Sequence, residues 1–187
     1  KKIGHTGTLD PIATGVLVVC VGNTTKLCEL LTSEYKEYIA TIKLGIKTDT
    51  LDITGNVIEE KEYNVNEKQI IEVLNSFLGE SIQTTPIYSA VKVNGKKLYE
   101  YAREGIEVEL PKRNINISNI ELLSYKDDEI KFKTTVSKGT YIRALIDDIC
   151  TKLNTVGTMS SLIRTKQGQF TLEQTFTLED IENGKYE

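Results

Sequence analysis

Gly4-His5-Thr6-Gly7-Thr8-Leu9-Asp10-Pro11-Ile12-Ala13-Thr14-Gly15-Val16-Leu17 is the stretch on which any interpretation of this chain turns. It is rich in Gly, Thr and Pro, so it predicts a loop. Its glycines let the backbone approach a ligand closely. It carries one carboxylate, Asp10, directly before Pro11, whose ring fixes the local chain direction. Two readings stand. In one, Asp10 caps neighbouring amides in an ordinary turn; in the other, the loop presents Asp10 to a substrate.

Outward from this loop, Val16–Val21 is a continuous apolar run ended by Gly22 and predicts a buried strand. Asn23 or Thr24 can cap a short helix through Leu31, with Leu27, Leu30 and Leu31 facing inward. Tyr35–Leu44 alternates as a strand, with Tyr38, Ala40, Ile42 and Leu44 on one side. Gly45–Gly55 is turn-rich, and Val57-Ile58 returns as a partner strand. Glu67–Leu78 is the clearest helix. Asn66 is its cap, Gln69 occupies the capping-box position, and Gly79 ends it. Its inward stripe is Ile70, Ile71, Leu74, Phe77 and Leu78. Ser89–Val93 reads as a strand, and Lys96–Arg103 as a short basic helix stopped by Gly105. Arg113–Leu123 and Ile130–Val136 alternate as strands. Tyr141–Leu153 is a second strong helix, Leu162–Phe170 a late strand, and Thr177 opens a terminal helix. Strands and helices mix without regular βαβ alternation. The fold class is therefore α+β with a largely antiparallel sheet, residues 1–187 forming one domain.

With 187 residues and 39% hydrophobic content, the chain can bury a core. No apolar stretch reaches the length of a membrane span, and no secretory signal opens the chain. The first residue is Lys1 and the single methionine is Met159, so the sequence reads as a segment of a longer product. Cys20, Cys28 and Cys150 lack C-x-x-C spacing and read as reduced, mostly buried thiols of a cytoplasmic protein. A net charge of −4 argues against indiscriminate nucleic-acid binding. Base nevertheless gathers in Lys92–Arg113 and around Lys131, Lys133, Lys138, Arg143, Arg164 and Lys166. That distribution is compatible with one basic face on an acidic body.

Generic motifs are missing. There is no GxxxxGK[ST] and no GxGxxG to cradle phosphates. The Asp49–Glu60 stretch faintly resembles a calcium loop, but Leu51 and Ile53 stand where ligands belong. The single histidine, His5, cannot build a His-rich metal site. No serine is positioned for it as a triad base. Chemistry without metal or nucleotide cofactor is what remains.

The opening stretch closely resembles the active-site motif GHxGTLDPxAxGVL of the TruB family of tRNA pseudouridine synthases. The resemblance continues in order through Tyr35-Lys36-Glu37-Tyr38, Leu44-Gly45 with Thr48–Asp52, Pro86–Lys92, Gly95–Gly105 and Lys138–Arg143. It implies a pseudouridine synthase fold and isomerisation of a uridine in the tRNA T-loop (position 55), with no cofactor and no metal. Asp10 matches the catalytic aspartate. Addition to C1′ and removal of a C2′ proton are both open, and both use the ionised carboxylate. Arg143 matches the arginine that pairs with it. Tyr38 matches the tyrosine that lies against the uracil and assists loss of the C5 proton. Tyr141 matches a second active-site tyrosine, and Leu162 an apolar contact to the base. His5 matches a histidine that enters the RNA loop beside the extruded nucleotide. Lys92–Gly105 matches a segment that closes over the T-loop.

Because stacking hides the glycosidic bond, the uridine has to be flipped out at a cost of roughly a few kcal/mol. The implied partner is the tRNA T-stem-loop, acted on by a monomer. The family's N-terminal strand, with its Lys-Pro motif, is expected before Lys1, and the C-terminal RNA-binding extension of longer members after Glu187. Two rival readings accompany this one: a tRNA-binding folding chaperone with secondary catalysis, and the guide-RNA-dependent dyskerin branch. The Gly95–Gly105 stretch looks more like the bacterial stand-alone type.

Overall fold

The structure is a computed structural model that describes residues 1–185. Tyr186 and Glu187, the end of the expected 1–187 domain and of its acidic tail, lie outside the described residues. In chain order the elements are β1 (Ile3–His5), β2 (Ala13–Gly15), β3 (Val19–Val21), α1 (Cys28–Ser33), β4 (Lys36–Leu44), β5 (Ile46–Thr48), β6 (Val57–Glu60), α2 (Glu67–Asn75) and β7 (Gly79–Thr84). There follow β8 (Lys92–Val93), β9 (Lys96–Lys97), α3 (Leu98–Glu104), β10 (Lys112–Lys126), β11 (Glu129–Val136), α4 (Ile142–Lys152), β12 (Gly157–Gln167), β13 (Phe170–Thr171) and α5 (Leu178–Glu182). Among the described residues, no helix is long and apolar enough to cross a membrane.

One sheet organises the molecule, in the order β13-β12-β4-β11-β10-β7, with β2 added beside β12. All of its pairings are antiparallel except β2 with β12, which is parallel. The expected α+β class with a largely antiparallel sheet is what the chain adopts. β4 lies centrally because alternation gives it an apolar face: Tyr38, Ala40, Ile42 and Leu44 are all buried. Helix α4 packs Leu145, Ile146 and Ile149 into the same core, and α2 adds Ile70 and Leu74. The Asn66 capping box forms as predicted, the Asn66 side chain accepting from Gln69 N while Gln69 Oε1 accepts from Asn66 N.

Several local expectations differ from the structure. Val16–Val21 is not a buried strand: only Val19–Val21 forms strand pairing, with β1 in a two-stranded ribbon. Val16 and Cys20 are buried while Leu17, Val19 and Val21 are exposed, because no described element covers the ribbon's outer face. Leu27 and Leu30 are exposed for the same reason. Helix α2 stops at Asn75, leaving Leu78 beyond its end at the surface, and within the helix Ile71 lies on the exposed side. Strand β7 is the largest omission. Its sequence, Gly-Glu-Ser-Ile-Gln-Thr, has no hydrophobic alternation, and it is held by backbone pairing to β10.

Candidate active site

The Asp10 loop is pinned at both ends. Upstream, β1 pairs with β3, and Thr6 N donates to Val18 O at 3.2 Å. Downstream, β2 runs parallel to β12 with Gly15 opposite Arg164. Gly15 has φ +104°, and a Cβ there would stand 2.2 Å from the Arg164 carbonyl oxygen. Only glycine permits both the conformation and the approach. Gly15→Ala is therefore expected to destabilise the protein by about 3 kcal/mol. Chemical unfolding would show it, and an unchanged midpoint would mean that β2 is not held against β12 this way.

Between these anchors, Ala13 N donates to Asp10 O at 2.8 Å, closing a turn over Pro11. The Asp10 carboxylate itself caps no turn amide among the described residues. It receives Arg143 Nε on Oδ2 at 2.9 Å and Arg143 Nη2 on Oδ1 at 3.0 Å, a bidentate pair. Of the two readings of this loop, the turn cap is the one the geometry discards. The other Arg143 bonds go to Thr50 O at 2.9 Å and Tyr88 O at 3.0 Å. The arginine is buried at the first turn of α4, whereas the Asp10 side chain is 27% exposed and opens on a cleft.

That cleft holds about 560 Å³ and is lined by Asp10, Tyr38, Tyr141, Arg143 and Leu162, among others. Its size falls within the roughly 300–1,000 Å³ usual for small-ligand sites. Tyr38 reaches it from β4 and is almost fully buried. Burial pushes its phenol above the ordinary value, the neighbouring Arg164 guanidinium opposes this, and the Asp10 charge adds to the rise. Tyr141 caps α4 and is fixed by reciprocal bonds with Gln83: Tyr141 N donates to Gln83 Oε1, and Gln83 Nε2 donates to Tyr141 O. The Arg113 guanidinium lies 5.3 Å from the Tyr141 ring centroid, in cation–π range. Leu162 is buried in β12 opposite Ala40 and Ala13, serving core and cleft together.

His5 stands apart from the other candidates. It is exposed at the end of β1, its Nδ1 accepts from Gly7 N at 3.3 Å, and it does not line the cleft. The expected basic helix begins at Leu98, after a β8–β9 hairpin, and its Tyr99 lines the cleft. Lys97 and Arg103 lie over the Tyr99 ring, and Lys96 pairs with Glu104. The second expected basic cluster is split by the fold: Lys131, Lys138 and Lys166 are exposed, the other three are not free at the surface. Arg143 and Arg164 are buried, and Lys133 pairs with Glu37 and Glu121. The cysteines are free thiols; burial pushes Cys150 up to about 12.

Sequence reasoning missed three groups at the cleft. Lys36 is buried, donating to Thr32 O and Glu34 O, and burial followed by the charge of Arg164 lowers its pKa. Ser89 Oγ is buried without a partner among the described residues. Arg164, also in the lining, is the third. A signal for it existed. It lies two residues beyond Leu162, hence on the same face of a strand.

The family model described as TruB family pseudouridylate synthase (N terminal domain) matches residues 1–142. The one described as tRNA pseudouridylate synthase B C-terminal domain matches residues 143–187. The junction falls inside α4, and β12 beyond it pairs with β4 before it, so the two matched segments share one sheet. The chain is 50% identical to the tRNA pseudouridine synthase B of Clostridium tetani over 182 residues, covering 97% of this chain and 63% of that protein. It is likewise 50% identical to that of Bacillus subtilis, covering 97% and 61%. The chain thus spans somewhat less than two thirds of the length of these relatives. Among solved structures, a Cbf5-Nop10-Gar1 complex aligns with TM-score 0.76 and 33% identity, over 100% of this chain and 46% of that one. An H/ACA RNP bound to a substrate RNA containing 2'-deoxyuridine aligns with TM-score 0.72 and 30% identity, over 100% and 45%. With both family models matched end to end and half of the aligned residues shared with these relatives, the chain belongs to the TruB family of pseudouridylate synthases.

Proposed function

We propose that this chain carries the catalytic unit that isomerises uridine to pseudouridine in the T-loop of tRNA, with Asp10 as the catalytic carboxylate. The observation that carries this reading is the Asp10 carboxylate held bidentate by Arg143 at a cleft shared with Tyr38 and Leu162. The reaction is balanced internally. The N1–C1′ bond breaks, the uracil turns, the C5–C1′ bond forms, C5 loses a proton and N1 gains one. Arg143 aims the carboxylate at the sugar, by addition to C1′ or removal of a C2′ proton. The buried wall of Tyr38 and Leu162 receives the flipped base, returning about 1–3 kcal/mol of stacking against the cost of extrusion. Water is excluded while the base is detached. Tyr38 keeps its proton at neutral pH, which suits it to packing against the base. Taking the C5 proton calls for a cation to steady the phenolate, and Arg164 is the cation beside it.

On this reading residues 1–187 act as one unit, as a monomer on cytoplasmic tRNA. His5 and the Lys92–Gly105 segment contact the RNA outside the cleft. The stand-alone type is favoured because the bacterial relatives share half their aligned residues with the chain and the Cbf5 chain a third. The test is incubation of the full-length protein with an unguided T-stem-loop transcript in EDTA, followed by mass-spectrometric mapping. Pseudouridine is expected at the T-loop uridine. No conversion, or conversion only with a guide RNA or added metal, would overturn the proposal.

A further inference from the structure

Arg164 is among the largest fully buried side chains of the molecule, at 1% exposure. A buried guanidinium is costly unless its donors are met. The usual remedy is a carboxylate, yet no ion pair to Arg164 forms among the described residues. Its donors go instead to the loop. Nε donates to Val16 O at 2.6 Å and Nη2 to Gly7 O at 3.0 Å. These carbonyls bracket Asp10 on either side. Val16 is held twice, since Val16 N also donates to the Arg164 carbonyl at 2.8 Å. Across the sheet Arg164 is registered opposite Tyr38 on β4, and on its other flank opposite Gly15 on β2. The position at which a Gly7 Cβ would sit is 3.8 Å from Nη1, so the loop lies directly on the guanidinium.

We propose that Arg164 is a positioning residue: it clamps both flanks of the Asp10 loop through their carbonyls and sets its uncompensated charge against the Tyr38 phenol. The inference rests on the reading of Asp10 and Tyr38 given above, but its geometry is separate from the Asp10–Arg143 pair. Arg143 orients the carboxylate, and Arg164 places the backbone that carries it. An apolar side chain could fill the same core volume, and only an extended cation with several donors bonds Gly7 and Val16 together while bringing a positive charge to the strand position beside Tyr38. The charged groups around the phenol are Arg164 from β12, Asp10 from the loop and, beyond Arg164, Lys36 from the start of β4. Arg143 also lines the cleft, where it is bonded to the Asp10 carboxylate, whereas the Arg164 guanidinium favours the phenolate and bonds the loop's backbone.

The experiment compares Arg164→Gln and Arg164→Lys in the full-length protein, by kcat and KM on T-stem-loop RNA and by a direct titration. For the titration, 3,5-difluorotyrosine at position 38, whose more acidic phenol titrates in an accessible range, is followed by fluorine NMR. In Arg164→Gln, kcat is expected to fall roughly 100-fold with KM little changed, as for a misplaced catalytic group, and the phenol titrates higher. Arg164→Lys keeps the phenol where it was and restores part of kcat. A folded Gln variant with wild-type kcat and an unmoved phenol would overturn the clamp, as would equal losses in both variants with the phenol unmoved. Should the Gln variant not fold, the Lys variant decides. Lower kcat at constant KM with an unmoved phenol supports the clamp, and raised KM at constant kcat overturns it. If the wild-type protein forms no pseudouridine, the proposed reaction has failed, and the Gln titration still decides whether Arg164 governs the phenol.

Discussion

Replacing Asp10 with Asn is expected to lower the single-turnover rate of pseudouridine formation by at least about 10⁴-fold, or ~5.5 kcal/mol of barrier, while RNA binding stays within a few-fold of wild type. Asn has the shape of Asp but no charge, so it can neither add to C1′ nor accept the C2′ proton. It can still accept one hydrogen bond from Arg143, but its amide then meets the second guanidinium donor, where a carboxylate oxygen accepted at 3.0 Å. The stability cost of that mismatch is about 1–3 kcal/mol. The fold should survive it, because the loop is separately anchored through Thr6, Gly15 and Val16. Quench-flow with a labelled T-stem-loop, alongside filter binding of the same RNA, separates chemistry from affinity. A variant that turns over at a rate near wild type would remove Asp10 from the reaction.

Arg143→Met is expected to damage stability and activity together, in contrast to Asp10→Asn. The arginine is buried and distributes its donors over one carboxylate and two carbonyls, Thr50 O and Tyr88 O. Methionine fills similar volume and leaves all three without a partner. Breaking a buried pair from one side costs about 3–5 kcal/mol, because the remaining charge stays desolvated. Asp10 is 27% exposed and can recover some hydration, which places the loss toward the lower end of that range. Arg143→Lys retains the charge but not the planar fork, so it should recover part of the stability and little of the geometry. Denaturant unfolding of both variants, combined with Asp10→Asn in a double-mutant cycle, measures the coupling. An Arg143→Met midpoint equal to wild type would show that the pair contributes nothing to holding the loop.

Legibility followed the range of the interactions involved. β4, α2, α4 and β11 could be read directly because their apolar residues recur at the period of the element, and β4 buries Tyr38, Ala40, Ile42 and Leu44 as its alternation requires. The Asn66 cap and the Gly105 stop were legible for the same reason: each works within a few residues. β7 was hidden, since Gly-Glu-Ser-Ile-Gln-Thr owes its conformation to pairing with β10, more than thirty residues away at the Gly79–Ile117 end. The exposure of Val19, Val21, Leu27 and Leu30 was hidden too, because hydrophobicity states what a residue favours and not whether a neighbour arrives to cover it.

The candidate site divides along the same line. The loop that presents Asp10, its glycine hinges and the types of side chain needed around it are properties of short motifs, and were open to reading before any fold was known. That Arg143 would pair with Asp10 across 133 residues of chain came from the motif's resemblance, and its grip on both carboxylate oxygens, its burial and its distances only from assembly of the sheet. Arg164 looked like one more surface cation. Strand pairing placed it beneath the loop, where its desolvated donors meet the carbonyls of Gly7 and Val16. A charge counted along a sequence carries no information about its solvation; the chain folded over it decides whether that charge faces water or holds a neighbouring backbone in place.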